Sequence, residues 1–212
     1  MKDKKYKKES VLDAIHNYDI DVEERTIFLH SQQYYGDGDG TPSEESGVDW
    51  KMATKFMKNM HYLNNISDEP ITIKMASCGG DYYFGMAIFD AIKQSKAPVD
   101  IYAWVHARSM TSIILQAARK RYISKNCIFM VHYGEYGDYG DLRKVASGLQ
   151  FYETHNKTMF DIYADRCVNG GFFQGRTKQQ VADFIQEKTD KHVDWWLHAD
   201  EAVLYGFADK VF

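Results

Sequence analysis

The chain has 212 residues, 44% hydrophobic and 26% charged, with a formal net charge of -4 at pH 7. That length suits one domain with its own core and argues against a second full one. The acidic balance excludes a general nucleic-acid binder, which needs a basic face to neutralise phosphates; MKDKKYKK at the start is too short and mixed to change this.

Residues 1–21 are polar, with weak periodicity, and are expected to form a mobile arm ahead of the domain at 22–212. Thr26 to Leu29 predicts a short strand, followed by the loop HSQQYYGDGDGTPSEESG. Within it Asp37, Asp39 and Thr41 loosely match a calcium loop. They lack the glycine and distal glutamate of an EF-hand register, so a solvated loop is expected and no metal is assigned. From Asp49 to Leu63 the positions Ala53, Phe56, Met57, Met60 and Leu63 predict an amphipathic helix. PITIKMA at 70–76 alternates as a strand, stops at the turn SCGG, and gives way to the helical GMAIFDAIKQS.

Val99 to Trp104 predicts the next strand, with a tight connection after it. Ser109 then stands at the first turn of a helix whose Met110, Ile113, Ile114, Ala117 and Ala118 keep the spacing of a buried face. A serine there has two readings, a helix cap or a nucleophile beside unpaired N–H groups. Cys127 to Val131 predicts a strand ending at His132. YGEYGDYG reads as glycine-spaced turns or an irregular extended segment, and Asp141 to about Asp165 as a helix longer than the usual 11 or 12 residues. Its stripe of Leu142, Val145, Leu149, Tyr152, Met159 and Tyr163 suits either the core or another subunit. Residues 177–189 form one more helix, and ADEAVLYGFADKVF a short helix, a glycine stop and a closing strand.

The repeated β-α-β order predicts an α/β fold with a largely parallel sheet, whose sites gather at the strand C-terminal ends. Three such ends, SCGG, ARSM and MVHY, then share one edge. Acyl transfer needs a hydroxyl nucleophile, an imidazole base, a carboxylate and two N–H donors for the oxyanion. Ser109 and His132 supply the first two, and the N–H groups of Met110 and the Gly79–Gly80 turn suit the last role. His192 and His198, six residues apart, do not share a helix face and predict no metal pair, and His106 reads as a turn residue.

Cys78, Cys127 and Cys167 are odd in number and form no C-x-x-C pair, which predicts neither disulfides nor a zinc knuckle and fits a reducing cytosol. No apolar run approaches the ~18 residues of a membrane span, and the start lacks the apolar core of a secretory signal, so a cytoplasmic protein without membrane partners is expected.

YDIDVEERTIFL, SCGGDYYFGMAIFDAI, ARSMTSIILQAA, FMVH and HADEAVLYGFADKV, in this order, resemble the proteolytic subunit of Clp protease, the ClpP family, over roughly residues 18–212. The resemblance implies a ClpP/crotonase-like α/β fold of repeated β-β-α/βαβ units. Its head would be 22–132 and 177–212, and its long protruding handle helix would lie in about 133–176. It makes Ser109 the nucleophile, His132 the general base, and Gly80 and Met110 the oxyanion donors. Counting back five residues from Ala199 places the family's aspartate on Asp194, with Asp190 and Asp200 as nearby rivals. The implied activity is a serine endopeptidase acting on unfolded polypeptides. The implied assembly is a homo-oligomer of heptameric rings, joined through the handle as a tetradecamer and fed by a Clp-family ATPase unfoldase. YGEYGDYG would pair with the extended substrate. No cofactor is implied, and the chain has no G-x-x-x-x-G-K-[ST] loop, so any ATP use falls to a partner.

Cys78 and Tyr133 stand where the family usually has proline, and Arg108 replaces a small residue beside the nucleophile. The loop at 31–48 is longer than usual, and extra residues appear around NGGFFQGRT. Two other readings therefore stay open: a catalytically silent ring-forming subunit, and a crotonase-like acyl-CoA enzyme with an acidic acid/base pair.

Overall fold

A computed structural model describes residues 10–30 and 45–212. Asp37, Asp39, Thr41 and most of the 31–48 loop lie outside them. Within the segment expected as an arm, Ser10 opens a helix, α1 (Val11–Tyr18). Its Oγ accepts from the Asp13 N–H at 3.1 Å and its own N–H donates to the Asp13 carboxylate at 3.2 Å, a capping box. That Ser-x-x-Asp signal was in the sequence, masked by the charge around it. Beyond Asp19 the short β1 (Ile20–Asp21) pairs antiparallel with β2 (Thr26–His30).

Helix α2 (Trp50–Ile66) starts where the Asp49 carboxylate accepts from the Met52 N–H at 2.8 Å. It buries Ala53, Phe56, Met60 and Leu63 as the periodicity predicts. Met57, counted with them, is 39% exposed, and Asn59 is buried instead, donating to the Tyr18 carbonyl at 2.7 Å. The helix thus rotates slightly to tie down the end of α1. Strand β3 (Ile71–Ser77) and helix α3 (Tyr82–Lys93) follow, the latter capped by Asp81.

Strand β4 (Val99–Arg108) is longer than the predicted 99–104. Its first half pairs in parallel with β5 (Lys120–Ile123), a strand that no periodicity in the sequence marks. His106 to Arg108 pair instead with β6 (Ile128–His132), and β3 runs beside both halves. Between them the register breaks: Met75 faces Ala103 while Ser77 faces Ala107. The tight connection expected after Trp104 is therefore a bulge inside the strand, with Val105 at φ 46°. The extra residues bend β4 and change its neighbour, which carries Ser109 to the edge where β6 ends.

Helix α4 (Met110–Leu115) has six residues, shorter than the apolar spacing predicts, yet Ala117 and Ala118 beyond it are still buried at 7% and 1% exposure. The chain then continues through α5 (Leu142–Cys167), a 3-10 turn (Gly171–Phe173), α6 (Lys178–His192), β7 (Asp194–Leu197), α7 (Ala199–Leu204) and β8 (Lys210–Val211). Helix α5, 26 residues and roughly 39 Å long, buries only Met159, Phe160, Tyr163, Ala164 and Cys167. Leu142 and Leu149, in its first half, are 82% and 47% exposed, so this half projects beyond the core.

Among the described residues eight strands share one sheet, in the order β1-β2-β3-β4-β5-β8, with β6 branching from β4 and β7 from β6. The pairs β2-β3, β3-β4, β4-β5, β4-β6 and β5-β8 are parallel, which makes the fold α/β with a largely parallel sheet. Strand β7 was not predicted. It runs antiparallel to β6 and closes the sheet beside His132. No described helix is long and apolar enough to cross a membrane.

Candidate active site

Ser109 sits between β4 and α4 at φ 51°, ψ -126°, and its side chain makes no capping hydrogen bond. The cap reading therefore does not describe it. A non-glycine residue in this region costs about 1–3 kcal/mol and persists only when its surroundings hold it. Here its N–H donates to the Met130 carbonyl of β6 at 3.1 Å, and its carbonyl accepts from the Ser112 N–H at 3.0 Å. Thr111 braces the same turn, its Oγ1 lying 2.7 Å from the Ser77 carbonyl and accepting from the Arg108 N–H at 3.1 Å.

The turn aims the Ser109 Oγ at His132, whose Nε2 is 2.8 Å away. His132 ends β6, and its cross-strand partner on β7 is Asp194. The Asp194 Oδ1 lies 3.1 Å from His132 Nδ1. Because a carboxylate only accepts, Nδ1 carries the proton and Nε2 is left to accept from the serine hydroxyl. The rivals take other places. Asp190 accepts from the Tyr133 hydroxyl at 2.6 Å, and Asp200 stands in the first turn of α7. Val193, just before Asp194, has φ 64° and ψ -67°, a sharp turn that swings the chain from α6 into β7.

The candidate donors flank the serine. Met110 is the first residue of α4, so its N–H has no acceptor inside the helix. Gly80 bridges Val48 in parallel: Val48 donates to the Gly79 carbonyl and accepts from the Asp81 N–H. In that pairing the N–H of Gly80 itself faces away from Val48. Glycine is required at both positions of this turn. A Cβ on Gly80, at φ 139°, would lie 2.2 Å from the Val48 nitrogen, and one on Gly79, at φ 109°, 2.5 Å from the Ser109 Cβ. A cavity of about 610 Å³ opens in front of Gly80, Ser109, Met110 and His132. Residues 134–138 and the exposed half of α5 form its far wall, with Tyr82, Tyr83, Phe151 and His155 supplying aromatic faces. Residues 133–139 form neither helix nor strand, in keeping with the irregular segment predicted there.

Glu45 and Trp196, neither singled out by the sequence, account for two unusual residues. The Cys78 N–H, which a proline would lack, donates to Glu45 Oε1 at 3.0 Å. His106 Nε2 is 2.8 Å from the same oxygen, and Arg108 Nη2 is 3.8 Å from Oε2. The Arg108 guanidinium lies over the Trp196 ring of β7, 5.8 Å from its centroid, and does not line the cavity. Burial, and then the Glu45 carboxylate, push the Cys78 thiol upward, away from thiolate character. Tyr133 packs edge-on against Phe160, its phenol pushed up to about 12 by burial and by Asp190. His198 caps α7, its N–H donating to Glu201 at 2.9 Å.

A family described as Clp protease matches residues 44–212. The chain is 32% identical over 171 residues to the ATP-dependent Clp protease proteolytic subunit 2 of Pseudomonas aeruginosa, covering 78% of this chain and 77% of that one. It is 27% identical to the ATP-dependent Clp protease proteolytic subunit 1 of Corynebacterium jeikeium over 92% of this chain and 90% of that protein. Its backbone is similar to a solved structure of a ClpP1 point mutant from Listeria monocytogenes. The TM-score there is 0.69 at 22% identity, over 90% of this chain and 92% of the other, a likeness of fold.

Proposed function

The chain belongs to the Clp protease family, and we propose that within it the protein is a serine endopeptidase working through Ser109, His132 and Asp194. The observation that carries this reading is the continuous chain of contacts from Ser109 Oγ to His132 at 2.8 Å and from His132 to Asp194 at 3.1 Å, opening on the cavity. His132 Nε2 takes the serine proton as Oγ attacks a peptide carbonyl, and Asp194 stabilises the imidazolium that forms. The oxyanion receives the N–H groups of Gly80 and Met110. His132 then returns the proton to the leaving amine, and water, activated by the same imidazole, hydrolyses the acyl-enzyme.

The cavity, with the unpaired segment at 133–139 along one wall, suits an unfolded polypeptide that pairs with this segment. The projecting half of α5 supports assembly into paired heptameric rings of identical subunits. The likeness to subunits of ATP-dependent Clp proteases supports supply of substrate by a Clp-family ATPase, and the reading places both in the cytoplasm.

Incubation with a fluorescent fluorophosphonate tests the chemistry. The protein is expected to be labelled, and Ser109→Ala to abolish the label. An unlabelled protein of native fold would overturn the peptidase reading in favour of a ring-forming subunit without activity.

A further inference from the structure

The carbonyl of Ser109 accepts two hydrogen bonds, one from the Ser112 N–H at 3.0 Å and one from the Ser112 hydroxyl at 2.6 Å. The Ser112 Oγ also lies 2.6 Å from the hydroxyl of Tyr163, 51 residues further along the chain in α5. A serine hydroxyl has one proton, and a carbonyl can only accept. Ser112 must therefore donate to Ser109 and accept from Tyr163, which fixes the direction of the whole chain.

Both residues are fully buried, at 0% exposure. Burial pushes the Tyr163 phenol upward, so it stays protonated and remains a donor. The ring is clamped edge-on against Phe207, 5.4 Å between centroids, in the buried half of α5. Hydrogen bonds in such a chain polarise one another in a low dielectric.

Ser109 is thus held from both sides. The bond from its N–H to Met130 restrains φ, and the doubly bonded carbonyl restrains ψ. Rotation about either angle would relieve the strain at φ 51° and move Oγ away from His132.

We infer that Ser112 and Tyr163 are positioning residues for Ser109, acting through its carbonyl to hold the strained backbone that aims the hydroxyl at His132; this rests on Ser109 being the nucleophile. Neither side chain lines the cavity, so neither touches a substrate there. The class of effect is orientation, where displacements near 1 Å cost about a hundred-fold in rate.

Saturation kinetics of fluorophosphonate labelling, run on the full chain well below its unfolding temperature, tests the pair. Ser112→Ala and Tyr163→Phe are each expected to slow the maximal labelling rate about ten- to hundred-fold, with half-saturation and the midpoint of the pH profile unchanged. The single variants also lose stability through an unsatisfied hydroxyl or a freed carbonyl. The double variant Ser112→Ala/Tyr163→Phe removes both partners and is expected to recover thermal stability while remaining slow. Recovery of labelling together with stability would assign the pair a purely structural role and overturn the inference. So would single variants that label at the parental rate. If the parent protein fails to label, or Ser109→Ala still labels, the reading of Ser109 falls and takes the pair's role with it.

Discussion

His132 and Asp194 face each other directly across an antiparallel pair of strands, 62 residues apart in the chain. Their side chains leave the same face of the sheet because opposed residues do so by construction, and that places the imidazole and carboxylate 3.1 Å apart. Replacing Asp194 by Asn is expected to disturb the imidazole tautomer and lower the fluorophosphonate labelling rate by up to about ten-thousand-fold. Asp190→Asn, which takes the charge out of the contact to Tyr133, is expected to label at the parental rate. The reverse pattern would move the carboxylate assignment to Asp190.

Gly80 has no space for a side chain, since a Cβ would run into the Val48 backbone. Gly80→Ala is expected to push the turn away from residue 48 and displace its N–H. The labelling rate should fall by about a hundred- to a thousand-fold, the usual cost of one oxyanion donor, while Ser109 and His132 stay in place. Retained activity with an intact fold would exclude the Gly80 N–H from the reaction.

Arg108 directly precedes the proposed nucleophile, yet its guanidinium turns away to the Trp196 ring and Glu45. Arg108→Ala is expected to cost about 1 kcal/mol of stability, the scale of one cation–π contact, and to leave labelling unchanged. A labelling defect larger than the stability loss would show that the cation acts on the serine after all.

Asp209 accepts from the Arg121 main-chain N–H at 2.7 Å and pairs with the guanidinium of that buried residue. Burial alone would raise this carboxyl, but the Arg121 hydrogen bonds and charge outweigh it and hold the group below the ordinary value. A carboxylate lowered in the folded state contributes stability above its unfolded pKa, and the contribution is lost as pH falls through the folded value. Asp209→Asn should therefore destabilise the protein near neutrality by about 2 kcal/mol, less than a fully buried pair because Asp209 is partly exposed. Thermal midpoints measured across pH should converge below about pH 4. A constant gap between the two proteins would remove this linkage.

Much of the architecture was legible in residue order alone. Strand and helix periods for β2, α2, β3, α3, β6 and α5 are local patterns, and buried faces follow from them without knowledge of the partners. The same holds for Ser109, His132 and the Gly79–Gly80 turn, because strand ends in a parallel sheet meet at one edge. What stayed hidden depends on residues distant in sequence. Strands β5 and β7 are four residues each, too short for a period to declare itself, and they exist because β4 and β6 offer open edges. The bulge at Val105 reads as ordinary strand until two different neighbours have to be paired.

By itself, then, the sequence determined the element types, the family resemblance and the residues worth watching, since these rest on short-range periodicity and motif order. Tertiary structure alone decided their contacts: Asp190 against Tyr133, Arg108 over Trp196, and Tyr163 behind Ser112. Each of those contacts joins side chains dozens of residues apart, and only the packing of α5 and α6 and the pairing of β7 with β6 bring them together.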